Sequence, residues 1–191
     1  MKQARVLTKE EIRKVIKVCE LTRHADRNKL IVHLSFLSGM RAIEIANLLV
    51  KDVLTADNKI LDVIALDKTQ TKGNKGQSIY VGKSLKKELT KYFAKFPKLA
   101  DRKEGYLLRT QKGHFTSLTI QHLFKHLYSL ANIPNATSHS GRRNFITELS
   151  EKGVSVRVIQ ELARHSSLQT TQRYIDVSVP KLKGAVDLIG V

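Results

Sequence analysis

A mainly helical domain with one small antiparallel sheet is the fold class this sequence predicts. Three observations carry that prediction. Apolar residues recur at helical spacing in several segments that open on capping residues. Residues 28–38 (NKLIVHLSFLS) are apolar nearly all round, as a central buried helix is. Two short runs rich in branched residues, 59–66 and 77–82, flank a loop with two glycines and read as a hairpin. With 191 residues, 41% of them hydrophobic, the chain is most simply one domain, long enough to bury a real core.

In order, Thr8 caps the first helix, Glu11 completes a capping box, and Ile12, Val15, Ile16 and Cys19 form the inward stripe. The apolar helix follows, and Gly39 breaks it. RAIEIANLL (41–49) starts a third helical segment with Arg41 in its first turn, where the helix dipole disfavours positive charge. Arg41 therefore needs a reason. KILDVIAL (59–66) and QSIYVG (77–82) are strand partners around TKGNKG, and from Lys68 to Lys87 there are six lysines and no acid. Ser84 caps a helix running to about Phe96, with Leu85, Leu89, Tyr92, Phe93 and Phe96 inward. YLLRT (106–110) is a short strand. Thr116 opens a helix with Leu123, Phe124, Leu127 and Leu130 on one face, ended near Pro134.

SHSGRRNFITELSEKG (138–153) reads as a helix, and residues three apart share a helix face, so His139 and Arg142 project into one space. Ser155 caps a further short helix after Gly153. Beyond Tyr174, Pro180 suits a helix start, and Leu182, Val186 and Ile189 give the tail a thin apolar stripe. No internal repeat, low-complexity segment or linker interrupts the chain.

A formal net charge of +17 favours a polyanion partner, nucleic acid first and an anionic membrane surface second. No apolar run approaches a bilayer span, and the N-terminal residues lack the apolar core of a signal peptide, which weakens the membrane reading. The lone Cys19 allows neither a disulfide framework nor a cysteine metal cluster, and a reducing, cytoplasmic compartment fits it. There is no Trp and only 6% aromatic residues, so base stacking on an aromatic platform is not an obvious binding mode. His122 and His126 stand at the spacing of a metal pair, but no carboxylate or thiol supports a site. They read as surface or DNA-facing histidines, and His24, His33 and His114 also get an ordinary reading. Tyr80, Tyr92, Tyr106 and Tyr128 read as packing residues.

Residues 138–174 hold the groups that chemistry on a phosphodiester needs. Arg offers a fixed fork of donors for two phosphate oxygens, His exchanges a proton near neutral pH, and Tyr174 supplies a phenol.

These residues resemble the catalytic domain of the tyrosine recombinase (phage integrase) family. SGMRAIEI resembles its arginine box, placing the first arginine at Arg41 and the accompanying acid at Glu44. TKGNKG resembles the lysine-bearing hairpin, with Lys72 the first choice and Lys75 the alternative. HSGR gives His139 and Arg142, and the three-residue spacing favours Arg142 over Arg143. ELARHSSLQTTQRYIDVS resembles the closing box, giving His165 and Tyr174. The similarity covers roughly Thr8 to Val177. Two positions depart from the pattern. Gly141 stands where the family carries an apolar residue, and Arg164 where a glycine precedes the second His.

The resemblance implies that Tyr174 attacks a DNA phosphate, leaving a 3′-phosphotyrosine and a free 5′-hydroxyl, and that a 5′-hydroxyl from a partner strand reverses the step. Arg41 and Arg142 would hold the non-bridging oxygens, Lys72 would protonate the leaving oxygen, His139 would exchange the tyrosine's proton, and His165 would donate to a non-bridging oxygen. Glu44 would orient Arg41 or His139. Lys75, Arg143, Arg164 and Arg173 are the expected DNA contacts. No metal or other cofactor is called for, because the cations neutralise the phosphate. The expected partner is double-stranded DNA, bound in the cytoplasm by a bacterial, archaeal or phage-encoded protein that is monomeric when free and tetrameric on paired sites. Residues 1–178 would form the catalytic domain, without the family's N-terminal helical domain, and residues 179–191 a tail docking on a neighbouring subunit. A type IB topoisomerase-like relaxing enzyme and a non-catalytic DNA-binding regulator are the alternatives.

Overall fold

The capping box expected at Thr8 is formed: Thr8 Oγ1 accepts from the Glu11 amide at 3.2 Å, and Glu11 Oε2 accepts from the Thr8 amide at 3.0 Å. The computed structural model describes residues 4–71 and 76–174, with 183, 184, 186, 187 and 189 of the tail. It divides into two compact units, Met1–Phe145 and Ile146–Val191.

In the first unit, α1 (Lys9–Cys19) buries Val15 and Cys19 against α2 (Ala25–Ser38). Eight of the fourteen residues of α2 are buried, as its all-round apolar sequence requires. The helix stops at Gly39, whose φ of +62° is left-handed. α3 (Ala42–Asn47) follows and packs on α2 and on α5 (Ser117–Leu130), while α4 (Lys83–Lys95) packs on α2 from another side. The segment before α1 is clamped from outside. Asn144 accepts from the Leu7 amide at 2.9 Å and donates to the Leu7 carbonyl at 2.6 Å.

β1 (Val63–Leu66) and β2 (Gln77–Tyr80) pair antiparallel from Val63↔Tyr80 to Leu66↔Gln77, and each points alternate residues inward. A second pair, β3 (Arg109–Thr110) with β4 (Gly113–His114), is only two residues long.

Several elements differ from the sequence reading. β1 starts at Val63 rather than Lys59, because Ile60 and Leu61 bond back to Leu54 and Val53. In YLLRT only Arg109 and Thr110 are strand, and Tyr106 bridges Leu49 instead. The cap of α4 is Gly82, with Ser84 inside the helix. Phe96 falls outside α4 at φ −126°, ψ 62° and is 40% exposed rather than inward. The inner face of α5 is Ile120, Phe124, Leu127 and Tyr128, and Leu130 is exposed. Tyr80 is also exposed, whereas Tyr128 is buried as expected.

The second unit contains α7 (Val156–Ala163) packed on α8 (Leu168–Gln172), a short helix that the sequence did not announce. Ser155 caps α7 as expected. The boundary between the units falls within α6 (Ser140–Glu151). In the tail, Val186 and Ile189 are exposed, and Pro180 and Leu182 lie outside the described residues. No helix among the described residues is long and apolar enough to cross a membrane.

Candidate catalytic site

Arg41 is the N-cap of α3, one residue ahead of the first turn in which the sequence placed it. The reason it tolerates the helix dipole is Glu44. That carboxylate is fully buried and accepts from the Arg41 amide at 2.8 Å and from Arg41 Nη1 at 2.6 Å. The acid thus satisfies an orphan donor of the helix start and neutralises the guanidinium beside it. Arg41 Nη1 also donates to Gln77 Oε1 at 3.2 Å. Gln77 opens β2, and nothing in its residue type or spacing marked it in advance.

Arg142 reaches the same turn from α6. It is only 6% exposed, and its Nη1 donates to the Gly39 carbonyl at 2.7 Å. Gly39 lies two residues before Arg41, so a single reversal of the chain bears one arginine and anchors the other. The approach of α6 is close. A Cβ on Gly141 would stand 2.2 Å from Ser35 Oγ and 2.9 Å from Phe36 Cδ2. This is the physical reason for the glycine where the family pattern has an apolar residue.

Arg143, the competitor for Arg142, turns elsewhere: its Nη1 donates to the Ala4 carbonyl at 2.6 Å. His139 lies just ahead of α6 and is exposed. Its carbonyl accepts from the Arg143 amide and its amide donates to Thr137 Oγ1. His139 thus precedes the helix whose three-residue repeat the sequence reading applied to it. Lys72 and Lys75 lie outside the described residues.

In the second unit α7 ends in a Schellman turn. Arg164 is left-handed (φ 56°, ψ 45°), its amide donates to Glu161, and the His165 amide donates to Gln160 at 3.1 Å. The family's glycine at this position now has its reason, since a side chain in that conformation costs roughly 1 kcal/mol. The turn delivers His165 to α8. His165 Nδ1 lies 2.9 Å from Oγ1 of the buried Thr171, and Gln160 Nε2 donates to the His165 carbonyl at 3.1 Å. The imidazole stacks on the Tyr174 ring with centroids 5.7 Å apart and planes at 21°. The sequence reading named His165 and Tyr174 but neither Gln160, which holds the His165 carbonyl, nor Thr171, which meets the imidazole. Arg164 Nη1 donates to the Leu162 carbonyl at 3.0 Å, and Arg173 is exposed beside Tyr174.

The first unit therefore assembles Arg41, Glu44, Gln77 and Arg142 around one turn, and the second assembles His165, Thr171 and Tyr174. Among the described residues no group of three or more His, Cys, Asp or Glu side chains could hold a metal ion.

The model of the phage integrase family matches residues 5–180. The chain is 35% identical over 184 residues to the tyrosine recombinase XerA of Thermococcus kodakarensis, an alignment covering 95% of this chain and 61% of that protein. The chain thus spans about three-fifths of the length of curated relatives such as these. Among solved structures, the crystal structure of XerA recombinase superposes with a TM-score of 0.73 at 23% identity, covering 97% of this chain and 66% of that one. XerH recombinase bound to its difH substrate before cleavage also gives 0.73, at 18% identity and 97% and 54% coverage. These likenesses show the fold. The chain belongs to the phage integrase family of tyrosine recombinases.

Proposed function

We propose that this chain carries the catalytic chemistry of a site-specific DNA recombinase, cutting and rejoining strands through a 3′-phosphotyrosine on Tyr174. The observation that supports the reading best is the pair Arg41 and Arg142 held on the Gly39–Arg41 turn, one by a buried carboxylate and one by a main-chain carbonyl. Two fixed guanidiniums suit the non-bridging oxygens of a phosphate, where negative charge develops during attack. With a phenol pKa near 10, the nucleophile needs this stabilisation and an acceptor for its proton. His139 exchanges that proton, His165 donates to a non-bridging oxygen, and Lys72, with Lys75 as the alternative, protonates the leaving 5′-oxygen. Glu44 and Gln77 act through Arg41 as positioning residues.

The substrate in this reading is duplex DNA, and the Tn1549 transposon integrase among the structural neighbours is in complex with DNA. A charge of +17 gives phosphate contacts, including those from Arg143, Arg164 and Arg173, most of the affinity. The protein is monomeric when free, assembles as a tetramer on two paired sites, and lays residues 179–191 on a neighbouring subunit. It works where that DNA is, in the cytoplasm.

The test is a nicked suicide duplex offered with a second, differently labelled duplex. The expected result is a covalent protein–DNA adduct, then joining of the two duplexes. Tyr174→Phe abolishes the adduct while retaining DNA binding. Adducts that persist in that variant overturn the nucleophile, and supercoil relaxation without joining replaces the recombinase by a topoisomerase.

A further inference from the structure

Another cationic feature lies at the opposite end of α2 from Gly39. A pocket of about 530 Å³ is lined by Arg27, Lys98, Arg102 and Arg109 and by the rings of Tyr92 and Phe96. Among the described residues, the lining cation that has a carboxylate partner is Lys95, bound to Asp26 at 2.6 Å.

Arg27 is the best defined of the four unneutralised cations. Its Nε and Nη2 donate to Asn28 Oδ1 at 3.1 and 2.9 Å, its Nη1 donates to the Arg109 carbonyl at 2.9 Å, and its guanidinium lies 4.9 Å from the centroid of the Phe115 ring. Every acceptor is neutral, and three of the five N–H donors are used. The side chain is half-buried and makes no ion pair with a carboxylate among the described residues, and this burial depresses its pKa. Phe96 is 40% exposed and lies 4.9 Å from Tyr92, centroid to centroid. Between Arg27 and the end of α2 run ~17 Å of helix, which puts the pocket well away from the Arg41 turn.

We propose that this pocket binds a nucleoside di- or triphosphate, with the phosphates on the guanidinium groups and the base against Tyr92 and Phe96. The charge density decides the ligand class. Four unneutralised cations around a cavity of single-ligand size call for several negative charges in that volume. A polyphosphate supplies them. An acidic side chain brings one carboxylate, and a unit of a nucleic-acid strand brings one phosphate. Arginine's planar fork matches phosphate oxygens two at a time, and aromatic faces accept any base. Strand transfer through phosphotyrosine conserves bond energy and uses no nucleotide, so the ligand is a modulator rather than a reactant.

The test is calorimetric titration of the whole chain at near-physiological salt with ATP, inorganic tripolyphosphate and adenosine separately. ATP is expected to bind one site, tripolyphosphate about tenfold more weakly, and adenosine not measurably. The double reversal Lys98→Glu/Arg102→Glu, on exposed positions, is expected to weaken ATP binding by at least about tenfold. The same charge change on α1, Lys14→Glu/Lys17→Glu, is expected to weaken it less than about twofold. Phe96→Ala is expected to weaken ATP and leave tripolyphosphate unchanged. Tripolyphosphate binding as tightly as ATP, or equal losses in the two reversals, overturns the proposal in favour of diffuse ionic attraction. An oligothymidylate that displaces ATP at lower concentration assigns the pocket to a strand, and a Glu-rich peptide with one Phe that does so assigns it to a protein partner. Either result also overturns the proposal.

Discussion

The Arg142 guanidinium donates to the Gly39 carbonyl at 2.7 Å, and Gly39 is the residue of that turn that no side chain can replace without strain. Its φ is +62°, and a Cβ there would stand 2.7 Å from the Phe145 ring. Gly39→Ala is expected to lower stability by about 1–2 kcal/mol. Strand cleavage should fall by more than about tenfold, because the acceptor that aims Arg142 moves. Urea denaturation and the suicide-duplex assay read the two effects. Unchanged cleavage would show that Arg142 does not depend on the turn.

Glu44 holds a charge with no solvent around it, so removing it takes the carboxylate partner from Arg41 and the acceptor from the Arg41 amide. We expect Glu44→Ala to destabilise by about 3 kcal/mol, and Glu44→Gln, which keeps an acceptor, by about half that. Both should depress cleavage more than DNA binding, a contrast that adduct yield and gel-shift titration measure.

Gln77 touches Arg41 from the sheet, while Glu44 keeps the guanidinium paired. Gln77→Ala should therefore change stability by less than ~0.5 kcal/mol. Its effect should appear as a slower cleavage rate on prebound DNA, partly restored in Gln77→Glu. A loss confined to DNA affinity would remove its positioning role.

At Arg164 the left-handed backbone opposes the side chain. Arg164→Gly should raise the unfolding free energy by about 1 kcal/mol, read as a higher urea midpoint, and lower DNA affinity at low salt, since one cation is gone. A variant no more stable than the parent would mean that the side chain offsets the strain through packing.

Burial raises the Cys19 thiol from 9.0 to about 12 and the Tyr92 phenol from 10.0 to about 12, and it pushes Tyr128 upward as well. Between about pH 9 and 12 the unfolded chain sheds these protons and the folded one keeps them. The unfolded state then binds fewer protons, so stability must fall as pH rises through that window. Urea midpoints should be lower at pH 10 than at pH 8, with a shallower decline in Cys19→Ala.

The helices were legible where a face or a cap repeats a local pattern, as at Thr8, residues 28–38, Thr116 and Ser155. The errors fell where long-range pairing decided the outcome. Ile60 and Leu61 have the composition of a strand, but Leu54 and Val53 claim their bonds. Phe96 continues the stripe of α4, but the helix ends one residue before it. At the site, residue types with acid–base or anion-binding chemistry could be proposed from spacing and family resemblance. Gln77, Gln160 and Thr171 could not, because amides and hydroxyls carry no such signature and meet their partners through the fold. Gly141 and Arg164 looked like irregularities in the sequence, and the close approach to Ser35 and the left-handed turn explain what each position demands.

Cys19 sits at 0% exposure with its Sγ donating to the Val15 carbonyl. Maleimide dyes and spin labels react through an accessible thiolate, so the parent chain is silent to them in its folded form. A cysteine installed on an exposed position of either unit, such as Lys112 or Ser166, would be the sole reporter, and distances between pairs of such labels could follow the protein on DNA without first engineering a background away.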